Sequence, residues 1–336
     1  MAEWIRRERV KRRFRYLRTD GRTVEDARTL ERIAALAIPP AWSDVHVAAS
    51  ASAGVQAWGL DAKQRKQYRY HERAVERGQL RKYYRVRELA KDLPVIRERV
   101  RKHAAARVPS RRSVAAAVVR LISESFFRVG GERYAEENKT FGITTLQKRH
   151  VEFVKGHAVF TYIGKTSKRQ RQVVTNRELA RLVKRQLASP GTRLFRYKDG
   201  PRWHNLTARD VNEYLHDTLC FPYSAKDFRT WGGTLRAATV LAELGPGRTL
   251  AESRRNVATT MRLVASELGN TPTICRKSYV HPIVVARYLD EGETIRLSAR
   301  YRQETDAYAH SDEERALIRF LDKHFPDRRG RARLNR

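Results

Sequence analysis

The chain has 336 residues, enough for two domains, and carries 70 Lys and Arg against 37 Asp and Glu. Its net charge of +33 and pI of about 10.9 exceed what solubility requires and indicate a polyanionic partner. No apolar run approaches the ~18 residues of a transmembrane helix, and the N-terminus lacks an apolar signal segment. We therefore expect neither a membrane protein nor a secreted one, but a cytoplasmic, nucleoid-associated protein.

Residues 1–76 are predicted to form a small β-rich domain. It begins with a dense basic run from Arg6 to Arg18. A short helix is expected after a capping-box pattern that runs from Thr23 to Asp26. The segments DVHVAAS, GVQAWGLD and QYRYH then alternate between apolar and polar residues, which predicts strands.

The remainder of the chain is predicted to be mostly helical. A charged helix over 71–102 contains a linker region at 77–88, a catalytic domain covers 89–325, and 326–336 is a basic tail. Start signals and apolar periodicity predict one three-stranded sheet at about 143–175 and helices over 111–129, 176–188, 207–218, 224–244, 249–268, 282–290 and 311–323.

Five polar residues stand out in this larger part. Arg128 precedes a Gly-Gly pair typical of a helix end, and Lys165 lies at a basic turn between two strand-like runs. Arg229 lies in KDFRTW, Asn270 follows 41 residues later (270 − 229 = 41), and Tyr279 comes nine after that (279 − 270 = 9). A tyrosine hydroxyl can attack phosphorus, and guanidinium and amide donors can hold charge on phosphate oxygens. The pattern predicts phosphodiester transfer through a covalent phosphotyrosine.

Other kinds of site lack the residues they need. The Gly164-Lys165-Thr166 run resembles the end of a nucleotide-binding loop, but Val159 stands where that loop requires its first glycine. Cys220 and Cys275 give no disulfide framework and no metal spacing, and are expected to be small core residues. There is also no D-x-D pair for an acidic metal cluster. We therefore expect catalysis without metal, nucleotide or other cofactor.

Taken in order, the five residues resemble those of the type IB DNA topoisomerases, specifically the small poxvirus-like form found in bacteria. LERIAALAIPPAW and QAWGLDAKQRKQYRYH resemble that family's N-terminal domain, and the chain from about residue 85 resembles its catalytic domain. The resemblance implies an α+β fold, with a small β-rich domain and a larger, mostly helical domain that contains a three-stranded sheet. It also implies an isomerase that relaxes supercoiled duplex DNA through a 3′-phosphotyrosyl intermediate.

The resemblance assigns a role to each of the five residues. Tyr279 would be the nucleophile, and Arg128 and Arg229 would donate to non-bridging phosphate oxygens. Asn270 would add a neutral donor at a position where the poxvirus enzymes have histidine. Lys165 would be the general acid that protonates the departing 5′-oxygen, a task worth roughly 10²–10⁴ in rate.

The resemblance also predicts how the protein holds DNA. Gln67, Tyr68 and Tyr70 match the family motif that enters the major groove, where glutamine can pair with an adenine edge. Tyr134 and Lys226 would be further phosphate contacts. The partner would be double-stranded DNA, clamped by a monomer, with no nucleotide and no membrane involved.

Two other functions remain open from the sequence. Tyrosine recombinases have a similar catalytic set, but they usually place histidine three residues before the second arginine, where this chain has Lys226. A non-catalytic nucleoid or RNA-binding protein would also explain the charge. Taken singly, Tyr279 could be a core tyrosine, Asn270 a turn residue and Lys165 an ordinary hairpin lysine.

Overall fold

The computed structural model describes residues 3–297 and 308–325, apart from the side chain of Thr166. Contacts divide the chain into two units, one ending at Lys82 and the other beginning at Tyr83. That boundary lies inside the predicted linker of 77–88, although every residue of this range is helical. The predicted basic tail of 326–336 lies outside the described residues.

The N-terminal unit is built around a five-stranded antiparallel sheet with strand order β2-β1-β3-β4-β5. One helix, α1, packs its Ile33 into a small core with Ile5, Val45 and Val47. The elements are β1 (Trp4–Val10), β2 (Arg13–Leu17), α1 (Ala27–Ala35), β3 (Ser43–Ala48), β4 (Val55–Leu60) and β5 (Lys66–Tyr70).

One local expectation for this unit was wrong, and one element was not predicted. The basic N-terminal run, for which no strands were predicted, forms the β1–β2 hairpin within the sheet. The cap of α1 is Asp26 itself, whose carboxylate accepts from the Thr29 amide at 2.8 Å. Thr23 instead bridges to Leu17. A single carboxylate at the helix start satisfies an amide that the helix cannot.

The second unit is mainly helical and has one continuous apolar core. An antiparallel sheet of order β6-β7-β8 packs into this core, and β9 and β10 form a separate hairpin. The helices are α2 (Glu72–Ala104, which begins in the first unit), α3 (Arg111–Ser125), α4 (Glu132–Glu137), α5 (Arg177–Leu187), α6 (Ala208–Glu213), α7 (Ala225–Leu244), α8 (Leu250–Leu268), α9 (Pro272–Ser278), α10 (Pro282–Glu291) and α11 (Asp312–His324). The strands are β6 (Val151–Val154), β7 (His157–Ile163), β8 (Arg169–Val174), β9 (Arg196–Asp199) and β10 (Arg202–Asn205).

The predicted α+β fold class is therefore confirmed, while some element limits were wrong. Helix α3 ends at Ser125, four residues before the predicted end at 129, because Phe126 adopts a left-handed conformation (φ 54°). The sheet begins at Val151, and short 3-10 turns precede it from Ile143. Cys275 is buried as expected, but Cys220 is exposed, at positive φ just after a π-helical turn.

Candidate active site

The segment that carries Arg128 is fixed through its main chain. The Arg128 carbonyl accepts from the Ile143 amide at 2.7 Å, and the Val129 carbonyl accepts from the Thr144 amide at 2.9 Å. A Cβ on Gly142 would lie 2.5 Å from the Gly130 Cα, so the two chain segments approach more closely than any other residue would allow. The backbone from Arg128 to Gly130 is therefore held before any ligand arrives.

Arg229 lies one turn into α7 and is only 3 % exposed. Its Nη2 donates to the Leu268 carbonyl at 2.9 Å, and its Nη1 donates to the Phe126 carbonyl. Burial lowers the pKa of Arg229, an effect that the Tyr279 phenol opposes, but a guanidinium starts so high that it stays charged at neutral pH.

The start of α7 is itself held in place by a buried carboxylate. Asp227 accepts from the Ser224 amide and hydroxyl at 2.8 and 2.9 Å, which completes a capping box. The same carboxylate accepts two hydrogen bonds from Arg85 of α2, at 3.0 and 2.9 Å. This pairing anchors the turn of α7 from which Arg229 projects.

Asn270 and Arg128 meet at the C-terminal end of α8. Gly269 ends that helix in the left-handed conformation (φ 61°), and the Asn270 amide donates to the Ala265 carbonyl at 2.8 Å. Arg128 Nη2 donates to the Gly269 carbonyl at 2.7 Å and to the Asn270 Oδ1. The two arginines therefore bind consecutive carbonyls, those of Leu268 and Gly269, where α8 leaves its carbonyls without helical partners.

Tyr279 follows the last residue of α9 and faces Arg229. The Arg229 Cζ lies 5.2 Å from the centroid of the Tyr279 ring, and the Tyr279 amide donates to the Cys275 carbonyl at 2.9 Å. The Thr234 hydroxyl of α7 donates to the Tyr279 carbonyl at 3.3 Å. Tyr279 is therefore attached to the same helix that carries Arg229.

Two glycines that the sequence analysis did not single out make this arrangement possible. A Cβ on Gly232 would lie 1.9 Å from the Phe126 ring, and a Cβ on Gly233 would lie 2.9 Å from the Tyr279 carbonyl oxygen. Glycine inside a helix costs about 1 kcal/mol relative to alanine. The consecutive pair within α7 was the available signal that two other segments approach this helix closely.

Two buried donors at the site have no hydrogen-bond partner within the described part of the chain. They are Arg229 Nε and Asn270 Nδ2. A buried polar group without a partner costs about 1–3 kcal/mol, so native proteins rarely retain one without a use. Asn270 also accepts a hydrogen bond from Arg128, and Arg229 also contacts the Tyr279 ring. An anion with several oxygens could accept from both of these donors.

Lys165 lies on a separate hairpin, outside the elements that carry the other four residues. It lies exposed at the turn between β7 and β8, which a hydrogen bond from the Gly164 amide to the Lys168 carbonyl closes at 2.8 Å. The hairpin nevertheless contacts the end of α8. A Cβ on Gly269 would lie 1.8 Å from the Gln170 Oε1, so the side chain of Gln170 lies directly against that glycine.

The other expected DNA contacts lie on the surface. Lys226 is exposed at the start of α7, three residues before Arg229, and Tyr134 is exposed on α4. In the first unit, Tyr68 and Tyr70 are 43 % and 54 % exposed, and their rings stack with centroids 5.7 Å apart.

Gln67 occupies a different environment from the two tyrosines. It is half-buried, and its Nε2 donates to the Asp61 carboxylate at 2.9 Å, an oxygen that Arg65 also binds at 2.6 Å. Successive residues of a strand alternate between faces, so Gln67 lies on the face opposite Tyr68 and Tyr70. The sequence analysis missed Trp58, which pairs in register with Tyr68 across the sheet. The Lys66 Nζ lies over the Trp58 ring, 3.7 Å from its centroid.

Cysteine chemistry is disfavoured at the candidate site. Cys275 lies one turn before Tyr279 and is fully buried, and burial raises its pKa to about 11, so the thiol stays protonated at neutral pH. Within residues 3–297 and 308–325, no group of three or more His, Cys, Asp and Glu residues could hold a metal ion. No helix in these ranges is long and apolar enough to cross a membrane.

Two protein-family descriptions match separate parts of this chain. Residues 69–305 match the family described as "Eukaryotic DNA topoisomerase I, catalytic core", and residues 13–61 match "Bacterial DNA topoisomerase IB, N-terminal domain". The DNA topoisomerase 1B of Acanthamoeba polyphaga mimivirus is 29 % identical over 301 residues, which cover 87 % of this chain and 90 % of that protein.

Two further viral proteins are similar over shorter stretches. The DNA topoisomerase 1B of vaccinia virus (strain Copenhagen) is 28 % identical over 183 residues, which cover 52 % of this chain and 54 % of that protein. The DNA topoisomerase 1 of rabbit fibroma virus (strain Kasza) is 25 % identical over 251 residues, which cover 70 % and 73 %. Because the catalytic-core match alone spans more than half of the chain, this protein belongs to the type IB DNA topoisomerase family.

Proposed function

We propose that this type IB topoisomerase cleaves one strand of duplex DNA with Tyr279, lets supercoils relax, and reseals the strand. The protein is a monomer that clamps double-stranded DNA, without nucleotide or metal, and it acts at the nucleoid in the cytoplasm. Tyr279 forms a 3′-phosphotyrosyl bond and leaves a free 5′-hydroxyl. Arg128, Arg229, Asn270 and Lys165 assist this reaction.

The observation that carries the proposal is a pair of buried donors, Arg229 Nε and Asn270 Nδ2, that have no hydrogen-bond partner among residues 3–297 and 308–325. Both lie in a cluster that joins Arg128, Asn270, Arg229 and the Tyr279 ring. A phosphodiester carries two non-bridging oxygens, which can accept from both donors at once. Guanidinium forks suit this task because they are planar, permanently charged and able to donate twice to one phosphate.

The reaction conserves the bond energy of the DNA backbone. The Tyr279 hydroxyl releases its proton to water as its oxygen forms a bond to phosphorus. The bond from phosphorus to the 5′-oxygen breaks, and Lys165 gives a proton to that oxygen. In religation the 5′-hydroxyl attacks the phosphotyrosine and returns its proton to Lys165, while the Tyr279 oxygen leaves and regains a proton from water. Fixed donors are worth most while charge builds on the non-bridging oxygens of the five-coordinate transition state.

The N-terminal unit supplies a separate contact with the duplex. Tyr68 and Tyr70 are exposed on one strand face, which suits contact with base edges or the thymine methyl. Gln67 donates one amide hydrogen to Asp61 in this structure, and a carboxamide has a second hydrogen and an oxygen with which it could pair with an adenine edge.

Relaxation of a supercoiled plasmid tests the function directly. The purified protein, with EDTA and without ATP, is expected to convert the plasmid into relaxed topoisomers that persist after the protein is removed. A recombinase would need paired target sites, and a packaging protein would leave the linking number unchanged after deproteinisation. A plasmid that stays supercoiled under these conditions would contradict the proposal.

Lys165 is expected to act as a proton donor, which a change of leaving group can reveal. Lys165→Ala should slow cleavage of a normal phosphodiester by roughly 10²-fold or more, the scale of general acid catalysis. A substrate with a 5′-bridging sulfur leaves as a thiolate, which needs far less protonation, and should react at nearly the wild-type rate. Single-turnover cleavage of the two substrates provides the measurement.

The arginines are the matched control for this experiment. Arg128→Ala and Arg229→Ala should remain slow on both substrates, because they act on non-bridging oxygens. Equal defects of Lys165→Ala on the two substrates would show that this lysine positions phosphate instead. The exposed Lys226 would then be the next proton donor to test.

A further inference from the structure

A partly buried hydrogen-bond chain joins the hairpin that carries Lys165 to the segment that carries Arg128. Tyr162 of β7 is 6 % exposed, and its hydroxyl donates to the Gln172 Oε1 of β8 at 2.7 Å. The Gln172 Nε2 then donates to the Ser125 carbonyl at 2.9 Å. Tyr162 precedes Lys165 by three residues, so the hydrogen-bond chain begins at the base of the turn that carries the lysine.

The other end of this chain lies beside the two arginines. Ser125 is the last residue of α3, and the next carbonyl, that of Phe126, accepts from Arg229. The Phe127 ring lies 18° from parallel to the Tyr162 ring, with centroids 6.4 Å apart. Arg128 is the next residue in the sequence, so the hydrogen-bond chain, which ends at Ser125, stops three residues before it.

Tyr162 remains a hydrogen-bond donor under working conditions. Burial raises its pKa to about 12, although the charges of Arg229 and Arg128 oppose the rise. The phenol is therefore protonated at neutral pH and can donate to Gln172. That both arginines influence this hydroxyl agrees with its place at the edge of the candidate site.

Main-chain hydrogen bonds also connect this hairpin to the segment that carries Arg128. The Phe141 amide donates to the Ile163 carbonyl at 2.7 Å, and the Ile143 amide donates to the Arg128 carbonyl at 2.7 Å. The short stretch from Phe141 to Ile143 thus touches both the end of β7 and Arg128. The hairpin base is therefore connected to the arginine segment on two sides, while the Lys165 turn itself is exposed.

We propose that Tyr162 and Gln172 are positioning residues that hold the Lys165 hairpin in a fixed relation to the segment from Ser125 to Arg128. They thereby set where the lysine meets the scissile phosphate. The inference rests on the proposed role of Lys165 as general acid. An ordinary buried tyrosine would stabilise the fold without affecting proton transfer, and this difference can be measured.

The test compares Tyr162→Phe with wild type on the normal phosphodiester and on the 5′-bridging sulfur substrate. A misplaced catalytic group loses rate steeply, so we expect a roughly 10-fold slower cleavage of the normal substrate. Cleavage of the sulfur substrate should stay within about 2-fold of wild type, because only the proton donor is displaced. Gln172→Leu should show the same pattern, and the double variant should be no slower than the slower single variant, since the two residues act as a unit.

Tyr214→Phe is the matched control for loss of a buried hydroxyl. Tyr214 is 4 % exposed and its hydroxyl pairs with His103 at 2.7 Å, so its removal should lower the melting temperature and leave both cleavage rates unchanged. If Tyr162→Phe behaves like this control, or is equally slow on both substrates, the inference is wrong. A wild-type protein that cleaves neither substrate would instead overturn the proposed function, and the inference with it.

Discussion

Replacement of Tyr279 by phenylalanine is expected to abolish strand cleavage and plasmid relaxation while DNA binding persists. The substitution removes one hydroxyl oxygen, the atom that would attack phosphorus. It leaves the ring beside Arg229 and keeps the main-chain bonds of Tyr279 to Cys275 and Thr234. The measurement is the SDS-stable covalent complex formed on a suicide substrate, with plasmid relaxation as the second readout.

Binding and stability provide the controls for this result. The variant should bind a duplex with close to wild-type affinity, because the phosphate-facing arginines are unchanged and charge dominates such binding. Its melting temperature should stay near that of wild type. A covalent complex or relaxation by the variant would remove Tyr279 from the mechanism and require a different nucleophile.

Arg128→Ala and Arg229→Ala are each expected to slow cleavage by at least ~10²-fold, the scale for losing one donor to a developing oxyanion. Arg→Lys should rescue either site poorly, because an ammonium cannot reproduce a planar fork. Single-turnover cleavage at saturating protein gives the rate without the contribution of weaker binding. Asn270→Ala should cost less than either arginine, since a neutral donor stabilises charge less strongly.

Arg229 requires a stability control because it is buried and bonds to two carbonyls. Arg229→Lys retains a charge and much of the volume, so a folded Arg229→Lys protein that still cleaves slowly would separate catalysis from folding. If Asn270→Ala slowed cleavage more than either arginine-to-alanine substitution, the assigned roles would be wrong.

The sequence predicted the fold class well because its helix and strand signals are local. The Ser224 to Asp227 capping box marked the start of α7, and Gly269 marked the end of α8. The end of α3 was harder to predict, since Phe126 continues the apolar pattern but adopts a left-handed conformation that phenylalanine seldom takes. The β1–β2 hairpin was hidden because arginines fill it. Arg7 is buried there and donates to the Pro39 and Trp42 carbonyls.

The candidate residues could be identified from the sequence, but their mutual contacts could not. Arg128 and Gly269 are 141 residues apart, and no local pattern predicts that the arginine bonds to that carbonyl. The hydrogen bond from Gln67 to Asp61 could not be predicted from the motif either, because it depends on where the turn between β4 and β5 places that carboxylate. Whether Lys165 reaches the phosphate stays a prediction, since the structure records it only at an exposed turn.

Both arginines are held by carbonyls at the end of α8 rather than by the side chains of acidic residues. Substituting a side chain cannot delete a backbone carbonyl, so point changes along the outer face of α8 should leave the guanidiniums in place. A change in the length of that helix is different, because one residue more or less rotates its last carbonyls by about 100° at 3.6 residues per turn. We therefore expect this site to tolerate substitutions on α8 but not insertions or deletions within that helix. Sequence divergence among family members should accordingly leave the position of Gly269 at the end of α8 unchanged.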